Sequence, residues 1–103
     1  MERKVEETLR ACIQHWNAMA SADEEDQEGA ADHFQSSFYV WIEAVREWVQ
    51  GMQSAPESLD AFMALPDVEE IMDLLPAPLH LNFETEAELI LDDFIREEED
   101  RYD

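Results

Sequence analysis

Lysine is almost missing from this chain of 103 residues. Lys4 is the only one, and with five arginines it stands against 27 Asp and Glu. The few bases sit near the ends, Arg3, Lys4 and Arg10 early and Arg96 and Arg101 late. Between residues 11 and 95 Arg46 is alone against 19 acids, a net charge of −18 over 85 residues. A field of that sign disfavours direct binding to nucleic acid or to an anionic membrane surface. Cysteine is as scarce. Cys12 alone excludes an internal disulfide and gives no support to a secreted, stapled scaffold. Two glycines, Gly29 and Gly51, are too few for a phosphate cradle, no serine lies in a GxSxG-like turn, and no His–Glu metal motif occurs. No apolar run approaches the ~18 residues of a spanning helix, and MERKVEETLRAC lacks the apolar core of a signal peptide, so a cytoplasmic location is expected. No period of 20 to 50 residues signals repeats.

What is present is apolar enough to fold. Hydrophobic residues make up 46% of the chain, with ten aromatics and five methionines, which is too many for a disordered acidic tail. The length suits one domain, residues 1–103, burying roughly 65% of the surface that its unfolded chain exposes. Val5, Leu9, Cys12, Ile13, Trp16 and Met19 recur at helical spacing and predict a helix over about 2–20. Phe34, Phe38, Trp41, Ile42, Val45, Trp48, Val49 and Met52 share a sector roughly 120° wide, predicting a central, aromatic-rich helix from about Ala30 to Gly51.

After Gly51, Ser54 and Glu57 have capping-box spacing and open a short helix carrying Leu59, Phe62, Met63 and Leu65. Pro66 interrupts, and Val68, Ile71, Leu74 and Leu75 form a fourth apolar face. LHLNFE, residues 79–84, alternates apolar and polar residues and reads as an isolated extended segment. A second capping box, Thr85 with Glu88, then starts a last helix with Ile90, Leu91, Phe94 and Ile95 inward and a frayed tail over 96–103. The expected fold is all-α: a small bundle of four to five helices around the central aromatic helix, with a short extended segment before the last one.

Three candidate sites compete. SADEEDQEG, residues 21–29, holds five carboxylates in six positions. Counted as a calcium loop from Glu24, it places Asp26, Glu28, Gly29 and Asp32 at useful positions but Gln35 at the twelfth, where a bidentate carboxylate is required. A hydrated link between helices is the simpler reading. Glu24, Glu25 and Glu28 follow EExxE spacing and Glu57 and Asp60 follow ExxD, which resembles the metal-binding pattern of all-α nucleotide pyrophosphohydrolases of the MazG type. The resemblance covers five positions and implies a magnesium-dependent enzyme holding the metal against a nucleotide's phosphates. No basic residue accompanies the motif. Cys12 and His15 have CxxH spacing, with His33 and Asp32 available in principle. A zinc site needs about four ligands, however, and Cys12 falls on the apolar stripe, so a buried cysteine beside a boundary histidine is expected.

The charge itself points to function. Glu88 and Asp92 lie four apart in the last helix, as do Asp93 and Glu97, and Glu84 and Glu86 precede them. Like charges at that spacing repel, so stability does not account for them. The expectation is a non-catalytic protein with no cofactor, metal or catalytic residue. It would bind a basic protein surface through Glu84, Glu86, Glu88, Asp92, Asp93 and Glu97, inhibiting or masking a nucleic-acid-binding partner as acidic nucleic-acid mimics do. That comparison rests on charge and size. The alternatives are the magnesium-dependent enzyme and a self-associating subunit such as a homodimer. A high-salt cytoplasm would also account for the acidity without any partner.

Overall fold

The computed structural model describes residues 1–100, with side chains described for 1–94. Five helices follow in order: α1 (Arg3–Ala20), α2 (Gln27–Gln50), α3 (Leu59–Met63), α4 (Pro66–Leu74) and α5 (His80–Asp100), with one 3₁₀ turn, Ala77–Leu79, ahead of α5. No strand occurs among the described residues, and the fold is all-α as expected. The chain divides into two compact units, Met1–Trp48 and Val49–Asp103, with the division inside the last turn of α2.

In the first unit α1 and α2 run antiparallel. Lys4 meets Glu47, and further along α1 Trp16 meets Phe34 edge-on at 5.2 Å, so residue numbers rise on one helix as they fall on the other. Glu2 caps α1: its carboxylate accepts from the backbone N–H groups of Lys4 and Val5, both at 3.0 Å. Those two hydrogen bonds favour the charged form and hold its pKa below the ordinary 4.5. Val5, Leu9 and Cys12 on α1 and Phe38, Trp41, Ile42, Ala44 and Val45 on α2 are buried. Phe34 is only half-buried, and Tyr39 and Val40 face out.

The second unit packs α3 against both α4 and α5. Its core is Phe62, Val68, Ile71, Leu75, Leu79, Phe83, Ala87, Ile90 and Leu91, with the rings of Phe62 and Phe83 6.1 Å apart. Two local expectations fail here. Ser54 does not open α3; the cap is Ser58, whose Oγ accepts from the Ala61 N–H at 3.1 Å. Pro66 separates the third and fourth helices as expected: α3 ends at Met63 and α4 begins at Pro66, whose fixed φ and missing N–H suit the first turn. The extended segment over 79–84 is helical, and Thr85 is not a cap: its Oγ donates back to the Leu81 carbonyl at 2.9 Å inside α5. The apolar positions explain the error. Leu79, Phe83 and Ala87 are four apart and buried, whereas Leu81, between them in the alternating pattern, is 70% exposed. Pro76 supplies the carbonyl that accepts from the Leu79 N–H, and the turn runs directly into α5. The inward placement of Ile95 and the frayed tail over 96–103 fall outside the described residues.

Candidate functional site

The acidic side chains of α5 form two rows, not one face. At roughly 100° per residue, Glu84, Glu88 and Asp92 climb one side of the helix, and Glu86 and Asp93 climb another. Phe83, Ala87, Ile90 and Leu91 fill the buried side between the far edges of the rows. Glu84 and Glu86 are therefore half-buried at its borders, while Glu88, Asp92 and Asp93 are exposed. The side chain of Glu97 lies outside the described residues. Glu84, Glu86, Glu88 and Asp92 enter no ion pair among the described residues. Leu81 and Leu89, 70% and 51% exposed, stand on the outward ridge among these carboxylates. An alternating strand over 79–84 would point Leu81 the same way as Leu79 and Phe83; the helix turns it outward instead.

Charge is divided unevenly along the chain. Met1–Trp48 carries eleven Asp and Glu and four Lys and Arg, net −7, and all four cations reach a carboxylate: Arg3 to Glu7, Lys4 to Glu47, Arg10 to Glu6 and Arg46 to Glu43. Val49–Asp103 carries sixteen acids and two arginines, net −14, with no base before Arg96.

The acidic stretch 21–29 is an interhelical turn and the start of a helix. The Asp23 carbonyl accepts from the N–H groups of Asp26 and Gln27, and α2 begins at Gln27. A calcium loop reaching Gln35 does not form, because Gln27–Gln50 is one continuous helix. Glu28 sits in the first turn of α2, where negative charge meets the positive end of the helix dipole. Glu57 is exposed ahead of α3, and Asp60 is in its first turn. Among the described residues no three His, Cys, Asp or Glu side chains gather around a point that could hold a metal ion. No polar or charged residue among them is buried.

Cys12 is fully buried and its burial pushes the thiol pKa up to about 11, the state of an inert core residue. His15 does not join it. Its ring lies 6.0 Å, centroid to centroid, from that of His33 on α2, with the planes inclined at 55°. An open hollow lies on each side of the pair. One, of about 490 Å³, is lined by His15, His33, Asp32, Ser36, Ser37 and Val40. The other, of about 350 Å³, is lined by His15, His33, Ala18, Asp26, Gly29 and Ala30. His80 is engaged elsewhere: its Nε2 donates to the Leu75 carbonyl at 2.9 Å, tying the end of α4 to the start of α5. No helix among the described residues is long and apolar enough to cross a membrane. Compared with family models, with curated proteins and with solved structures, the chain matches none.

Proposed function

We propose that this chain is a non-catalytic binding protein whose α5 carboxylates dock onto a basic protein surface, one that would otherwise hold nucleic acid. The observation that carries this reading is the state of Glu84, Glu88 and Asp92: three carboxylates on successive turns of one helix, in no ion pair among the described residues, in a unit of net charge −14. Each repels the next, and the helix tolerates them because Phe83, Ala87, Ile90 and Leu91 hold it in place from the other side. A partner presenting Lys and Arg would turn repulsion into attraction and release the counterions of both surfaces. Association would then be fast and would weaken steeply with salt. A regular row of negative charge is also what a nucleic-acid backbone offers such a surface, so the two ligands would compete.

The test has two steps. A pull-down from the native host at low and at high salt identifies the partner. Glu84, Glu88 and Asp92 are then replaced together by their amides, helix content is checked by circular dichroism, and affinity is measured across a salt series. The expected outcome is weaker binding with a shallower salt slope, and displacement of nucleic acid from the partner by the parent chain only. An amide variant binding as tightly as the parent, with the same slope, would reduce the row to a solvated surface.

A further inference from the structure

Two open hollows flank the His15–His33 pair in the first unit and bring titratable groups together, and the proposed docking through α5 does not involve them. An anion is a poor candidate for them. Asp26 lines one hollow, Asp32 the other, and the unit as a whole is net −7. A hard cation is poorly served too, because magnesium and calcium take oxygen ligands and the two groups common to both hollows are imidazoles. Neutral imidazole nitrogen is the ligand of the borderline divalent transition metals.

The spacing is near what a shared ion needs. A metal–nitrogen bond of ~2.0–2.1 Å places each imidazole centroid about 3.2 Å from the ion, so two rings at a tetrahedral angle lie roughly 5.2 Å apart. The observed 6.0 Å is wider by less than about 1 Å, a gap that side-chain rotation of the exposed His33 closes without moving either helix. His33 is exposed and His15 half-buried, which leaves an approach from solvent.

We propose that His15 and His33 form a two-imidazole site for a borderline divalent ion, Zn²⁺ or Ni²⁺, which clips α1 to α2. No third ligating side chain converges, so water completes the coordination, and Asp26 and Asp32 contribute negative potential that concentrates the cation. Such a half-site binds less tightly than a closed structural zinc site, which encloses the ion with four protein ligands.

The experiment titrates ZnCl₂ into the parent chain under an excess of MgCl₂, which occupies the diffuse carboxylate atmosphere. Heat is followed by calorimetry, and the three histidine ring signals by NMR. One saturable site of micromolar affinity is expected, with the signals of His15 and His33 shifting together and that of His80 unmoved. His33→Ala and His15→Gln each weaken binding roughly tenfold or more, since a chelate becomes a single ligand. Replacing Glu24 and Glu25 by glutamine leaves it unchanged. Absence of a saturable site in the parent chain overturns the proposal. So does binding that survives both histidine variants or that moves all three histidine signals alike, because the ion would then belong to the acidic surface. The parent-chain NMR arm needs no variant to fold.

Discussion

Lys4 and Glu47, 43 positions apart in sequence, meet at 2.7 Å through the Lys4 Nζ, which donates to the Glu47 Oε2. With Trp16 against Phe34 and His15 beside His33, the pair fixes one antiparallel register for α1 and α2. Both groups are more than half exposed, so the contact specifies alignment more than it stabilises. The hydrogen bond to Glu47 raises the Lys4 pKa. A raised pKa means that this small contribution is complete below the ordinary lysine value and is lost only as pH climbs through the folded one.

Trp41 is fully buried, with the ring of Phe38 5.8 Å away, and belongs to the core and not to a binding face. Trp41→Ala should cost about 3–5 kcal/mol, close to the whole stability of a small domain. Thermal unfolding followed by circular dichroism checks this. An unchanged melting temperature with lost partner binding would make Trp41 an interface residue instead.

Caps distinguish the observed helix starts from those read off the sequence. Ser58→Ala removes an N-cap hydrogen bond and should cost about 1 kcal/mol, whereas Ser54→Ala should be close to neutral. Thr85→Ala should stabilise slightly, since alanine is the better residue inside a helix. Urea unfolding of the three variants measures all of this. A loss of about 1 kcal/mol at Thr85 would restore the capping box and the extended segment before it.

Gly29 lies inside the first turns of α2 with ordinary helical backbone, and a Cβ there would meet nothing within 4 Å. Gly29→Ala should therefore add about 0.5–1 kcal/mol by removing backbone freedom from the unfolded chain. The same helix leaves Glu24, Glu25, Asp26 and Glu28 without a loop to wrap calcium. Calorimetry at physiological salt should show no stoichiometric calcium or magnesium site, and a micromolar site lost in Glu28→Gln would contradict this.

Cys12 reports on the α1–α2 packing. Its thiol pKa is raised to about 11, so the neutral form is favoured by folding. That preference contributes fully below the unfolded thiol's value and declines as pH rises from there toward about 11. Stability should fall over that alkaline window by more than in Cys12→Ala. At neutral pH the thiol should react with iodoacetamide only after the unit opens, at a rate that follows urea concentration; fast modification of the native chain would show an exposed thiol.

Periodicity made α1 and α2 legible, because long amphipathic helices repeat the signal many times: Val5, Leu9 and Cys12, or Phe38, Trp41, Ile42 and Val45, leave one reading. Short segments do not. Over LHLNFE an alternating strand and a helix differ only in where Leu81 points, and six residues cannot decide it; Phe83, Ala87 and Ile90 further on do. Two serines four apart, Ser54 and Ser58, offered rival caps, and the choice depended on how Phe62 reaches the core. The acidity of α5 is visible as composition, but its division into two rows with Leu89 between them follows only from a helix that begins at His80. The approach of His33 to His15 depends on the α1–α2 register and has no sequence signal of its own.

The uneven allocation of charge has a consequence for ionic strength. Added salt weakens the ion pairs that Arg3, Lys4, Arg10 and Arg46 make within Met1–Trp48, and it also relieves the mutual repulsion of the sixteen acids beyond residue 48. The same ions thus push the two stretches in opposite directions. Amide exchange should report this as a crossover: protection along α1 is greatest in dilute buffer, and protection in α5 over Phe83–Leu91 grows as salt is added.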